Sequence, residues 1–360
     1  MIREFQGIRG ILAWWVVVGH IIGFSGNIGK STLLGSIIGN GYIPVDVFII
    51  MSGFVIMLLL DKKKEPYSKF IIRRFFRLAP VLIICFFITF LIVDFWNYNL
   101  HNVGWMSSPG WESRILRLNT VLNHKLEHVL LHLSMLHGVV PKEILPSSAD
   151  AFLVPAWSIS LEWQFYLIAP VIYFLATRKQ FKFILIPFVI ILFLFLVPEL
   201  GGFYNGNKGF ILLNIPLFSI GIISYFFYKN QKIKLSINTT TYISILFIIS
   251  LFLKLAIVIW VASFLLIFIK ENKIIDKIKL ILKSPLLFTI GDISYSTYLV
   301  HWPVIIFIQF IILKTYPEVS RIEMFILLFA TVLPIVFLLS YILNKFIEKP
   351  FINLAKKIND

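Results

Sequence analysis

Four ionisable side chains stand inside apolar runs: His20, Asp46, Glu162 and His301. Charge in a hydrocarbon setting is costly, so such groups face a site, a cavity or one another. Their types suit acid–base work. Imidazole titrates near neutrality, and a carboxylate can orient an imidazole and stabilise its charged form. A second group is purely cationic: Arg9, Arg73, Arg74 and Arg77. Guanidinium forks match phosphate geometry, so this group suits an anionic ligand.

Arg9 and His20 close the stretch RGILAWWVVVGH, eleven residues apart. On a helix that spacing returns to within about 20° of the same face after a rise of ~16 Å. Arg9 equally fits a snorkelling anchor, and His20 a packing histidine. Asp46, in IPVDVFIIMSGFVI, sits near a helix start, where the dipole favours a carboxylate. Ser52 and Gly53 follow and allow close helix packing. In FIIRRFFRLAP, positions 73 and 77 share a face at i, i+4. In VPAWSISLEWQFYLIAP, Ser158 and Tyr166 flank Glu162 on one face, and Glu162 also reads as a structural carboxylate paired elsewhere. Tyr295, Tyr298 and His301 follow at i, i+3, i+6.

These residues must be positioned by membrane helices. The 360 residues are 59% hydrophobic and 14% charged, with mean hydropathy +0.89. Soluble domains lie nearer about 45–50% and about 25%. The fold class expected is all-α, a polytopic membrane bundle of about ten transmembrane helices. Apolar segments lie near 8–24, 43–60, 79–96, 157–176, 183–198, 211–228, 237–253, 255–269, 285–312 and 323–343. With the N-terminus inside, 24 of the 33 Lys and Arg fall on the inner side, so both termini are expected to be cytoplasmic. That bias, with anionic lipid, accounts for much of the net charge of +15 without nucleic acid. One domain is expected over 1–350, with an outer loop near 97–156 and a short cytoplasmic tail at 351–360. The first apolar run reads as a retained span, not a cleaved leader. Cys85, the single cysteine, cannot form an intrachain disulfide.

In this topology His20, Asp46, Glu162 and His301 lie toward the outer side and the arginines toward the inner side. The pattern suggests a path through the bundle, with an anion-binding inner mouth and an acid–base outer chamber. His124, His128 and His132 recur at i, i+4, i+8 in the outer loop, with Glu127 among them and His137 beyond. Such spacing could bind zinc, but without an HExxH pattern they read as the polar stripe of an amphipathic helix on the membrane, and no metal is expected.

Taken in order, the motifs resemble the acyltransferase-3 family of bacterial membrane O-acyltransferases. The resemblance rests on the Arg9–His20 pair, the 45–56 stretch, Arg73-Arg74-x-x-Arg77 with Pro80, WSISLEWQFYL at 157–167, SYSTYLVHWP at 294–303 and Glu348-Lys349-Pro350. Departures are modest: many members carry a second Glu where Trp163 stands, and Asp where Gln6 stands. The resemblance implies a ten-span enzyme of the bacterial inner membrane. It would move an acyl group, usually acetyl from acetyl-CoA, to a sugar hydroxyl of O-antigen, capsule, exopolysaccharide or a lipid-linked precursor. Arg73, Arg74 and Arg77 would then hold the CoA phosphates, with Arg9 extending that surface. His20 would be the base and Glu162 its orienting partner. His301 would be a second base or an oxyanion donor, and Asp46 would complete the set. Direct transfer and an acyl-histidine relay both remain open. The rival reading is a proton-coupled flippase or exporter of a lipid-linked sugar; a membrane scaffold is a third.

Overall fold

A computed structural model describes residues 2–177, 207–230, 254–269 and 272–358. Among these the chain is helical and holds no β-strand. Helix α1 (Arg3–Phe24) and a short α2 (Leu33–Ile38) precede α3 (Tyr42–Lys63) and α4 (Tyr67–Leu91). Three helices, α5 (Val93–His101), α6 (Pro109–Asn123) and α7 (Lys125–Leu133), build a cap over one end of the bundle. A 3-10 turn (Val154–Ala156) leads into α8 (Trp157–Thr177). Then come α9 (Ile211–Asn230), α10 (Leu255–Leu265), α11 (Lys273–Leu282), α12 (Pro285–Asp292), α13 (Ser294–Thr315) and α14 (Arg321–Leu343). A π-helical turn (Asn344–Glu348) joins α14 to α15 (Lys349–Lys357).

Seven of the described helices are long and apolar enough to cross a membrane: α1, α3, α4, α8, α9, α13 and α14. The apolar α10 is shorter. The expected spans at 183–198 and 237–253 lie outside the described residues. Helix α13 is the central element, with every residue from Ser294 to Ile306 buried. That enclosure explains why polar groups on it, His301 included, face protein instead of lipid.

Two boundaries differ from those expected. Hydropathy predicts the third span at 79–96, but α4 starts at Tyr67 and carries Pro80 inside it. Hydropathy marks depth in lipid, not helix length, so an arginine-rich helical turn is invisible to it. The three arginines therefore project from a helix face instead of a loop. The segment 285–312 was expected as one span, but it breaks at Ile293. There the carbonyl of Asp292, left without an intrahelical partner, accepts a hydrogen bond from Asn344 Nδ2 at 3.1 Å.

Small residues let α3 and α9 cross closely beside Ser52. A Cβ placed on Gly221 would lie 2.7 Å from the Phe54 nitrogen and 3.0 Å from Gly53 Cα. The close packing expected at Gly53 is thus met by a second glycine on the partner helix.

The cap corrects the reading of the loop histidines. Helix α7 is amphipathic, but its imidazoles point inward: His128 and His132 are buried, while Leu126, Leu130 and Leu133 are exposed. His132 stacks between Phe86, at 4.9 Å, and His137, at 4.1 Å. Neutral imidazoles pack as flat aromatic rings here and leave the leucines to face the surroundings. Burial lowers His128 and His137 to about 4, so both are neutral at pH 7. Residue 350, the expected domain end, falls within α15, whose Phe351 stacks on Phe76 of α4 at 6.0 Å.

Candidate active site

Helix α1 delivers Arg9 and His20 to two different cavities. The arginine cavity, about 350 Å³, is lined by Arg9, Arg74, Arg77, Glu162 and Glu348 among others. The histidine cavity, about 490 Å³, is lined by His20 and Trp302 and by residues of the cap. Val45 and Tyr298 line both, so the cavities adjoin inside the bundle. The depth of the residues suggests two compartments with Asp46 and Glu162 beside the histidines; the cavities divide the residues differently, with Glu162 among the arginines and Asp46 in neither.

In the arginine cavity, Arg77 forms an ion pair with Glu348. The other Glu348 oxygen accepts from Ser296 Oγ at 2.8 Å and Asn344 Nδ2 at 3.0 Å. The Arg77 guanidinium also lies over the Tyr295 ring at 5.0 Å. A buried pair held in this way is a fixed scaffold, because losing one partner strands the other charge. Arg74 is held differently, by the rings of Phe70 at 5.8 Å and Tyr166 at 5.7 Å. Arg73 pairs with Glu65 and lines neither cavity. The expected pairing of 73 with 77 is therefore replaced by 74 with 77. Both spacings bring side chains to one side of a helix, and packing decides between them.

Glu162 does not meet His20. Its carboxylate accepts from Ser52 Oγ at 3.2 Å and from Tyr166 Oη, within the arginine cavity. The expected Glu162–imidazole couple is corrected on this geometry: Glu162 projects toward the arginines. Ser158, expected beside Glu162, instead bonds Tyr298 Oη at 2.7 Å. Tyr298 Oη also donates to the Pro155 carbonyl at 2.9 Å, which fixes this ring between the cavities. Asp46 is half-buried on α3 and lines neither cavity, so it does not join the histidines.

His20 and His301 do come together. Their rings stack with centroids 5.1 Å apart and planes 30° apart. Trp302 packs its edge against His20 at 5.1 Å, and its own Nε1 donates to the Phe152 carbonyl at 3.0 Å. His301 Nδ1 donates to the Thr297 carbonyl at 3.1 Å. A carbonyl can only accept, so the proton of neutral His301 sits on Nδ1 and Nε2 keeps its lone pair. That Nε2 is buried and has no hydrogen-bond partner among the described residues. Two imidazoles this close disfavour two positive charges, so the pair suits holding one proton at a time.

Glu348 was not singled out as a site residue, although the Glu348-Lys349-Pro350 motif contains it. Tyr298 shows in the sequence only through its i, i+3, i+6 spacing with Tyr295 and His301. Arg114 and Lys208 also line the histidine cavity, and no motif in the sequence points to them. Nothing local distinguishes them, because the cap and the segment before α9 bring them in from far along the chain. Among the described residues no three His, Cys, Asp or Glu side chains are arranged to hold a metal.

Fold and site together define a membrane helix bundle with an arginine-lined and a histidine-lined cavity that meet inside it. The profile of the acyltransferase-3 family, described as an acyltransferase domain, matches residues 2–345, and the chain belongs to this family. The comparison supports a membrane acyltransferase, with an acyl donor and an acceptor, over the transporter and scaffold readings. No curated protein and no solved structure gives a match.

Proposed function

We propose that the protein is an integral-membrane O-acyltransferase of the bacterial inner membrane, with both termini in the cytoplasm. Its donor is acetyl-CoA, and its acceptor is a sugar hydroxyl of a cell-surface polysaccharide (O-antigen, capsule or exopolysaccharide) or of a lipid-linked precursor. The observation that supports this most is the adjoining of the two cavities at Val45 and Tyr298. A polyanionic donor suits the side where Arg9 and Arg74 stand. A hydroxyl acceptor suits the side that His20 lines, with His301 stacked against it.

In this reading the His20–His301 pair takes the proton of the acceptor hydroxyl as its oxygen attacks the thioester carbonyl. The new C–O bond forms, the C–S bond breaks, and the proton passes to the departing thiolate. Tyr298, whose one hydroxyl proton goes to the Pro155 carbonyl, holds the wall where the two cavities adjoin. A relay through an acyl-imidazole uses the same groups in two steps. Glu162 holds the arginine-side wall instead of the base.

The test is thiol release from acetyl-CoA by the purified protein, with and without a mixed extract of lipid-linked and surface glycans. Release stimulated by extract and lost in His20→Ala supports the reading. No release with acetyl-CoA or with succinyl-CoA contradicts it.

A further inference from the structure

The two cavities differ in charge balance. The arginine cavity sets Arg9, Arg74, Arg77 and Lys349 against Glu162, Asp292 and Glu348. The histidine cavity is lined by Lys30, Arg114, Arg117 and Lys208, and among its described lining residues there is no Asp or Glu. One carboxylate lies behind the wall: Asp150 accepts from Arg117 at 3.0 Å and from Lys208 at 3.1 Å. It can offset one of the two. Among the described residues Arg114 has no such partner. Its Nη1 donates to the neutral Gly23 carbonyl at 3.2 Å, and its guanidinium lies over Trp111 at 4.7 Å. Burial, with Arg117 beside it, lowers Arg114 to about 10, so it stays cationic at neutral pH.

Aromatic faces hold these cations in place. Lys208 lies over Trp157 at 5.4 Å and over Tyr42 at 5.5 Å. Trp96, Trp111 and Trp302 add flat apolar walls. Flat rings suit the apolar faces of pyranose sugars, and unneutralised cations in a walled cleft focus field on an anion.

We propose that the histidine cavity is an acceptor subsite for an anionic glycan, with Arg114 and Lys208 recognising a carboxylate or phosphate near the hydroxyl that is acylated. The inference rests on the acyltransferase reading and narrows its acceptor class. It assigns the cap a substrate-selecting role.

The test measures binding without donor, by quenching of tryptophan fluorescence in purified protein in nanodiscs. Three probes are compared: a neutral oligosaccharide, its uronate-bearing counterpart, and a lipid-linked monosaccharide diphosphate. At least one anionic probe should bind about 10-fold tighter than the neutral one, and the gap should shrink as salt rises from low to high. Preference for the uronate assigns the charge to the glycan; preference for the diphosphate assigns it to the lipid carrier. Arg114→Gln and Lys208→Gln should each remove most of the gap. If Arg114→Gln does not fold, Lys208→Gln and the exposed Lys30→Gln carry the test. Equal affinity for all three probes overturns the proposal. So does a loss of acetyl-CoA affinity in these variants with the anion preference intact, which would make the cations donor contacts. Failure of the acyltransferase reading itself shows separately, as absent thiol release with the anionic preference retained.

Discussion

At the residue scale the site turns on which charges are committed and which are open. Arg77 is held by Glu348 and Arg73 by Glu65, whereas among the described residues Arg74 is held by aromatic rings. Arg74→Ala should therefore raise KM for acetyl-CoA about 10-fold, the order of one charge-assisted hydrogen bond. Arg73→Ala should leave KM within about 2-fold, because that residue lines neither cavity. Steady-state kinetics on the two variants side by side separates a phosphate contact from a charge that serves topology. His20→Ala should cut turnover by ~10²–10⁴ with membrane insertion intact, the range of a lost general base. Full turnover in that variant would remove His20 from the chemistry. The pairing of Arg9 with His20 along one helix was readable in the sequence, since spacing fixes both face and rise. The direction of Glu162 was not, because it depends on the rotation of α8 against α3, and Ser52 lies 110 residues away in the chain.

At the scale of elements, hydropathy located the seven long apolar helices among the described residues and misplaced some of their ends. Polar helical turns such as Arg73–Arg77 carry no apolar signal, and the break at Ile293 leaves both flanking helices apolar. The α3–α9 crossing was half visible, in Gly53 but not in Gly221. Gly221→Ala should lower the melting temperature of the detergent-solubilised protein, by an overpacking cost of about 1–3 kcal/mol; an unchanged melting temperature would mean that the helices can separate freely. The cap was read as a surface stripe because period alone cannot say which face of an amphipathic helix turns inward. Its histidines make it sensitive to acid. Folded His128 and His137 sit at about 4, below the ordinary 6.5. The unfolded cap thus takes up protons first, and stability present above pH 6.5 falls as pH drops toward 4. Proteolysis within 97–156 should therefore accelerate over that window, and a rate independent of pH would contradict the burial of these rings.

At the scale of the whole molecule, the two cavities divide the reaction between two sides of one bundle. The composition made a membrane protein evident, and the order of the motifs made the family evident. The adjoining at Val45 and Tyr298 was not readable, since it needs three helices and a turn assembled. The proposed orientation places the cap outside and both termini inside. In a Cys85→Ser background, Ile144→Cys should react with an impermeant maleimide on intact cells, and a cysteine appended after Asp360 should react only after lysis. The reverse pattern would invert the scheme.

The most direct test of the central claim supplies donor and acceptor from opposite sides. Protein in vesicles of known orientation would receive acetyl-labelled acetyl-CoA only at the face bearing the termini, with glycan acceptor only at the other. The account predicts labelled glycan, and none with His20→Ala. Label that appears only when donor and acceptor share one face would contradict a path running from the arginine cavity to the histidine cavity.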